Sequence, residues 1–219
     1  MNWNKLSKKE LLERLNWRCK HGHNGISHHT CWDKEKDVRE KVGFLDIEAS
    51  NLYPEFGIVF CWCILDNDTG QIYERLITKE ELFSRREDKD VVKACIATMR
   101  KFDRIVGHYS KRFDVPFLRT KALIHGLEFP KYGELYHTDT FDVAKRLLRL
   151  RSNRQNAIAD ILFGESLKTR LDSAHWRSAL QGNKKSLRYI LEHCRRDVKE
   201  LKRNYDKLKE FVKLTRTSI

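Results

Sequence analysis

The sequence predicts an α/β domain in which a mixed β-sheet is flanked by helices. Two observations carry this prediction. Residues 42–48, 57–65 and 71–77 are apolar stretches with strand-forming side chains, and the turn Asp66-Asn67-Asp68-Thr69-Gly70 joins the last two as a hairpin. Farther along, short apolar stretches alternate with helical patterns, which are the crossovers that parallel strands need.

The later elements follow from their own patterns. Residues 104–107 form a short buried strand, and a helix opens at Asp114, because Pro116 falls in its first turn. Residues 184–214 carry one long helical pattern. The remaining expected elements are helices at 90–102, 115–125, 145–150 and 156–163 and a last strand at 135–138.

Size and composition fit one main domain. The chain has 219 residues, of which 40% are apolar, enough to bury one good core. We expect a small N-terminal segment at 1–40 and the main domain at 41–219. Lysine and arginine outnumber the acidic residues by 44 to 31, a net charge of +13. Such a surplus attracts polyanions, although a generically basic protein would show the same balance.

Membrane and export signals are missing from the sequence pattern. There is no apolar run of about 18 residues, and the first residues lack a signal-peptide core. We therefore expect a protein that stays in the cytoplasm, without membrane association. Cys61 and Cys63 alternate within an apolar strand and Cys95 lies in a helical pattern, so reduced thiols are expected.

Two carboxylates lie two residues apart inside the first apolar stretch. On a strand, Asp46 and Glu48 point to the same face, where their charges repel each other. A divalent cation would relieve this repulsion, and oxygen ligands of this kind suit Mg²⁺ or Mn²⁺. An edge strand with an acidic polar face is the alternative.

Distant acidic residues favour the metal site. Asp114 follows a buried strand and a loop, although the position also suits a helix N-cap. In the long terminal helix, Tyr189, His193 and Asp197 are separated by steps of four residues, so they share one stripe. A solvated helix face is the alternative for that stripe.

In their order, these motifs resemble the DEDD 3′–5′ exonucleases, DnaQ-like members of the ribonuclease H-like superfamily. The likeness lies in Leu45-Asp46-Ile47-Glu48, in the segment from Gly107-His108 to Arg112-Phe113-Asp114, and in the pair His193 and Asp197. It covers roughly residues 41–211.

The resemblance implies a two-metal mechanism acting on single-stranded DNA or RNA. Asp46, Glu48, Asp114 and Asp197 would hold two Mg²⁺ or Mn²⁺ ions, and His193 would orient or deprotonate the attacking water. An endonuclease on the same fold and a non-catalytic nucleic-acid-binding module stay open as alternatives. The sequence does not specify RNA or DNA, or an oligomeric state.

The chain departs from the resembling family at two positions. Tyr109 stands where family members often carry Asn, and His193 has the spacing from Asp197 that tyrosine usually has there. Between these motifs, Asp139 and Asp142 would either support the metal ligands or cap a helix.

The first forty residues contain a dense group of cysteines and histidines. A capping box at Ser7 and Glu10 predicts a basic helix that runs through about residue 16. Sulfur and nitrogen donors then follow closely, at Cys19, His21, His23, His28, His29 and Cys31. A structural Zn²⁺ held by Cys19 and Cys31 with two histidines, such as His23 and His28, is one interpretation. A His-rich linker is the other, since the spacing matches no familiar zinc-finger pattern.

Basic and aromatic residues form the expected nucleic-acid contacts. Arginine suits phosphates, and aromatic rings suit base stacking. The candidates are Tyr109, Lys111, Arg112, Arg149, Arg151, Arg154 and Trp176, the last of which is expected in a loop. A solvated helix face with a tryptophan covering the core would explain several of them equally well, and Trp62 in an apolar strand is expected to be core.

Overall fold

A computed structural model describes residues 6–36, 39–167, 172–212 and 217–219. The strands are β1 (Val42–Ala49), β2 (Val59–Asp66), β3 (Ile72–Leu76), β4 (Arg104–Gly107) and β5 (Tyr136–Asp139). The helices of the described residues are α1 (Lys8–Asn16), α2 (His29–Glu35), α3 (Lys79–Leu82), α4 (Lys89–Met99), α5 (Asp114–Ile124), α6 (Thr140–Leu147), α7 (Gln155–Phe163), α8 (Ser173–Leu180) and α9 (Lys184–Leu208), the last followed by a 3₁₀ turn, Lys209–Phe211.

The strands form one mixed sheet in the order β3-β2-β1-β4-β5. The hairpin half, β1 to β3, is antiparallel, whereas β4 lies parallel to both β1 and β5. Each parallel connection runs through a helix, α4 before β4 and α5 before β5. The predicted fold class, a mixed sheet with flanking helices, is therefore confirmed.

Helices cover both faces of β2. Successive side chains of this strand point to opposite sides and so contact different helices. The Nε1 of Trp62 donates to the carbonyl of Val91 in α4 at 2.9 Å, and Trp62 is buried, as expected. Cys61 and Cys63 point to the other face, where α9 packs across β1 and β2. The main core lies between these layers.

Several element boundaries differ from the sequence prediction. The helix expected at 145–150 lies at Thr140–Leu147 instead. Leu148 after it is extended and packs, with Leu150, against a second apolar cluster around Val143. The chain around Trp176, expected as a loop, is helix α8, capped by Asp172, which accepts from the Ala174 N–H. The long terminal helix ends at Leu208, and residues 213–214 of the expected helix lie outside the described residues.

The outer edge of β5 is paired rather than open. Residues 217–219 run antiparallel beside it, with the His137 N–H donating to the Thr217 carbonyl at 2.8 Å. The Ile219 N–H donates to the Leu135 carbonyl at 3.0 Å. Both bonds extend the sheet by a short sixth segment.

The N-terminal segment forms helices α1 and α2 around a compact turn. Ser7 and Glu10 make the expected capping box at the start of α1. All six cysteines are described and free, as expected for reduced thiols. Within the described part of the chain, no helix has both the length and the apolar character needed to cross a membrane.

Candidate metal and nucleic-acid site

Strand β1 presents Asp46 and Glu48 on the face that α9 covers. Their partners across the antiparallel pair are Cys63 and Cys61, respectively. The Cys194 thiol of α9 lies 3.4 Å from the Asp46 carbonyl, so helix and strand touch at this point. The period of two residues along the strand thus places both carboxylates where the sequence predicted.

Helix α9 brings His193 and Asp197 to the same place. The Nε2 of His193 lies 3.7 Å from Oε1 of Glu48 and 3.6 Å from Oδ2 of Asp197. Ligand atoms of these three residues all lie within 4.8 Å of one another. His193 and Asp197 are buried, so the alternative of a solvated helix face is wrong.

Asp114 is buried at the start of α5, but it is not the N-cap, which is Phe113. Its Oδ1 accepts a hydrogen bond from the Ile47 N–H at 3.0 Å. The pKa of Asp114 is raised to about 7, mainly by burial; the Ile47 hydrogen bond opposes this rise, and the charges of Asp139 and Asp197 contribute to it. Asp114 therefore faces the same acidic region as the residues of β1 and α9.

The turn between β4 and α5 is held in an unusual backbone conformation. Tyr109 has φ of +61°, in the left-handed region that non-glycine residues rarely adopt. Asp139 fixes it, because its carboxylate accepts from the N–H groups of Tyr109 and Lys111 at 2.9 Å each. Asp139 also caps α6 through the Phe141 N–H, so one of its two expected roles, the helix cap, is confirmed.

Gly107 allows this turn to close tightly. A Cβ at Gly107 would overlap the side chain of Ser110, which hydrogen-bonds Nε2 of His137 at 2.9 Å. Burial lowers the pKa of His137 to about 4, so this imidazole stays neutral near pH 7. The sequence pattern predicted no role for Ser110.

Exposed basic and aromatic groups surround the turn. Arg112 pairs with Asp142 at 2.7 Å, and its guanidinium lies 5.4 Å from the Tyr109 ring centre and 5.6 Å from that of Phe141. Asp142 is thus an ion-pair partner rather than a cap. Lys111 lies 3.8 Å from the same carboxylate and is exposed.

Trp176 of α8 is packed beside the carboxylates. Its Nε1 donates to the Ala49 carbonyl at 3.1 Å, and its ring meets that of His193 edge to face, with 6.4 Å between centroids. The Trp176 side chain is only partly exposed, and its hydrogen bond joins α8 to Ala49, the last residue of β1. Its expected contact with a base stays a prediction.

Two further features concern the expected site residues. Arg149, Arg151 and Arg154 are exposed between α6 and α7.

The buried Gln155, for which the sequence pattern predicted no role, donates from Nε2 to the Asp197 carbonyl at 2.8 Å. Only the tertiary arrangement shows that contact, because a glutamine at a helix start carries no distinctive sequence signal.

The cysteine and histidine segment forms a second cluster of metal donors. Ligand atoms of Cys19, His21, His23 and His28 lie within 4.8 Å of one another. The expected ligands were Cys19 and Cys31 with two histidines, such as His23 and His28, whereas the cluster in the structure contains His21 and not Cys31. Burial would raise the pKa of the Cys19 thiol, but hydrogen bonds from His28 and the backbone lower it to about 5.

Comparisons with known proteins place the chain within a superfamily. A comparison with curated proteins finds no match. Among solved structures, the chain is similar to the family B DNA polymerase from the hyperthermophilic archaeon Pyrobaculum calidifontis, with a TM-score of 0.63 and 16% identity over 79% of this chain. It spans 25% of that polymerase, and the likeness at this identity concerns the fold alone.

The sequence model of the RNase_H superfamily matches residues 43–209, which run from β1 to the end of α9 and include all four candidate carboxylates. This match covers the whole mixed sheet and the helix that packs across it. The chain belongs to the RNase_H superfamily.

Proposed function

We propose that this protein is a metal-dependent 3′–5′ exonuclease of the DEDD type that hydrolyses single-stranded DNA or RNA. The RNase H-like fold supports a nuclease with a nucleic-acid substrate, and nucleases of this fold usually use divalent metals. One observation carries the finer proposal. Glu48 of β1 and Asp197 of α9 meet at His193, and Asp114 of α5 binds the Ile47 N–H, between Asp46 and Glu48, although the chain separates these elements widely.

The donor set fits two Mg²⁺ or Mn²⁺ ions. All four candidate ligands, Asp46, Glu48, Asp114 and Asp197, offer the hard oxygen atoms that these cations prefer. Burial is the main cause of the raised pKa of Asp114, and the charges of Asp139 and Asp197 add to it. A cation bound here would offset those charges. When bound, a pair of ions would activate a water molecule and stabilise the leaving 3′ oxygen.

The chain's own residues supply rigidity and proton transfer. Asp46 and Glu48 are fixed by the sheet, and the Ile47 hydrogen bond fixes Asp114 beside them. His193 Nε2 lies between two carboxylates, at a position from which imidazole can orient a water molecule or accept its proton near neutral pH.

The surroundings suit a single strand. The loop that directly follows β1 exposes Leu52, Tyr53 and Phe56, and Tyr109 is exposed on the β4–α5 turn. Bases can stack on the rings of Tyr53, Phe56 and Tyr109. Phosphates can be contacted by Lys111, Arg112, Arg149, Arg151 and Arg154. We further propose a cytoplasmic protein, as the sequence suggested.

A substrate comparison tests this function. The substrates are a 5′-labelled single strand, the same strand with a blocked 3′ end, and a closed circle, in DNA and RNA versions, each with Mg²⁺, Mn²⁺ or EDTA. The proposal expects metal-dependent shortening from the 3′ end and resistance of the blocked strand and the circle.

Matched variants control for contaminating nucleases. Asp46→Asn and Asp197→Asn should abolish hydrolysis, whereas Asp160→Asn, which changes an exposed carboxylate of α7, should not. Cleavage of the circle would instead show an endonuclease. Binding without hydrolysis under every metal condition would show a non-catalytic nucleic-acid-binding module.

A further inference from the structure

A cluster of sulfur and nitrogen donors lies between α1 and α2, in a part of the chain that precedes all the candidate nuclease residues. Cys19 Sγ lies 3.4 Å from Nδ1 of His28 and 3.7 Å from Nδ1 of His21. Cys31 Sγ lies 3.9 Å from the same nitrogen of His21. The rings of His23 and His28 are also adjacent, with 5.1 Å between centroids.

These distances match the edges of a tetrahedral metal site. With Zn–S near 2.3 Å and Zn–N near 2.0–2.1 Å, tetrahedral angles place S and N ligand atoms about 3.5 Å apart. The two distances from Cys19 lie close to that value. Hydrogen bonds alone would not require four such donors to meet at one point.

The backbone holds the donors in place. The Cys19 N–H donates to the His23 carbonyl at 2.9 Å, and the Gly22 N–H donates to the Cys19 carbonyl at 2.8 Å. Gly22 has φ of +79°, which glycine adopts without strain. The Asn24 side chain then accepts from the N–H groups of Ile26 and Ser27 at 3.0 and 2.8 Å, directing the chain toward His28.

The segment has little core of its own. Among its described residues, the buried apolar side chains are Cys19 and Trp32. Polar contacts add to them, since Arg14 pairs with Asp33 at 3.2 Å and stacks on the Trp32 ring. Units of fewer than about 40 residues usually need a metal or disulfides for stability, and the cysteines here are free.

We propose that this cluster binds one structural Zn²⁺ in tetrahedral geometry, with Cys19, His21, His23 and His28 as its ligands. Mixed sulfur and nitrogen donors suit zinc, whereas the carboxylates of the nuclease site suit harder ions. His23 takes the fourth position because its ligand atom lies within 4.8 Å of the other three. Cys31 is not one of the four proposed ligands, and its sulfur lies beside His21.

The ligand set differs in one residue from the sequence interpretation, which paired Cys19 with Cys31. His29 is excluded, because its Nδ1 faces Asp33 at 3.5 Å on α2. The zinc ion would join the end of α1 to the start of α2, so that the turn and both helices form one unit.

Elemental analysis of the full chain tests the proposal. Protein purified without chelator should contain about one zinc per chain, as expected of a structural site. The double variant Cys19→Ser, His28→Asn should lose it, and His29→Asn, the matched control, should keep it. An Asp46→Asn, Asp197→Asn variant should also keep it, which separates this site from the nuclease site.

Replacement of zinc by Co²⁺ identifies the ligands. A tetrahedral Co²⁺ spectrum with thiolate charge-transfer intensity for one sulfur is expected, and Cys31→Ser should leave it unchanged. Intensity for two sulfurs that Cys31→Ser halves would overturn the proposed ligand set, because Cys31 would then replace one of the three histidines. Wild-type protein without zinc that also fails to take up Co²⁺ would overturn the site itself, whatever the nuclease assay shows.

Discussion

Asp114 and Ile47 are joined by a hydrogen bond of 3.0 Å between a side-chain oxygen and a strand N–H. Strand β4 pairs with β1 as far as Phe44, so the Ile47 N–H lies beyond that pairing. Asp114 satisfies this group, as a neighbouring strand would otherwise do. Consequently, the Asp114 carboxylate at the start of α5 lies against Ile47, the residue between Asp46 and Glu48.

Replacing Asp114 by Asn should abolish hydrolysis and stabilise the metal-free protein at pH 8. The pKa of Asp114 is raised to about 7 in the folded state, so the folded protein binds the proton more tightly than the unfolded chain. Stability from this group is present below about pH 4 and is lost as pH rises through 7.

Asn cannot ionise but can still accept a hydrogen bond from the Ile47 N–H. The stability that the wild-type protein loses when Asp114 ionises is therefore retained in the variant. Unfolding in urea with EDTA should show a gain of roughly 1–3 kcal/mol at pH 8, since one pKa unit is worth about 1.4 kcal/mol. The gain should be much smaller at pH 4.5. Asp160→Asn is the control, and an equal gain at both pH values would contradict the assigned pKa.

Replacing His193 by Ala should slow hydrolysis by roughly 10²–10⁴-fold, the usual contribution of a general base, with little change in metal affinity. His193→Tyr restores the residue common at this spacing in the resembling exonucleases. It should recover part of the rate and flatten its dependence on pH between about 5.5 and 7.5. Single-turnover rates across that range provide the measurement. An Ala variant with wild-type rates throughout would show that His193 only fills space beside Trp176.

Replacing Tyr109 by Asn should relieve backbone strain. The left-handed conformation costs roughly 1–2 kcal/mol for most L-residues, and Asn adopts it more readily. Both Asn and Ala remove the ring contacts with Phe141 and Arg112. Tyr109→Asn should therefore be more stable than Tyr109→Ala by about 1 kcal/mol in thermal or urea unfolding. Equal stability of the two variants would mean that the turn stores no such strain.

Replacing Arg149, Arg151 and Arg154 together by Ala should weaken binding of single strands of every sequence. If each arginine contacts one phosphate, the slope of log affinity against log salt should fall by about 2, at roughly 0.7 per contact. Fluorescence anisotropy with the catalytically inactive Asp197→Asn background measures this slope. The double variant Lys8→Ala, Lys9→Ala, which removes exposed positive charge from α1 instead of this loop, is the comparison. An unchanged slope would assign these arginines to solvent alone.

The sequence predicted the parts of the site that depend on local periodicity. Alternation along β1 placed Asp46 and Glu48 on one face, and a helical step of four placed His193 beside Asp197. The strand at Arg104–Gly107 agrees residue by residue. These relationships hold within one element, so its geometry determines them.

Other parts depend on contacts between distant segments. The bond of Asp114 to Ile47 and that of Trp176 to Ala49 join residues far apart in the chain, which no local pattern encodes. After the end of α6 at Leu147, Leu148 likewise packs against an apolar cluster that includes the distant Leu208. The place of His21 in the proposed zinc site, instead of Cys31, likewise depends on the three-dimensional turn around Gly22.

The pairing of residues 217–219 with β5 bears on self-association. An open strand edge can capture a strand of another molecule and so initiate aggregation. Here the His137 N–H and the Leu135 carbonyl are already engaged by Thr217 and Ile219. Deleting residues 217–219 would expose the edge of β5 to pairing with a strand of another molecule. Residues 217–219 thus occupy the edge of the sheet at which a strand of another molecule could otherwise pair.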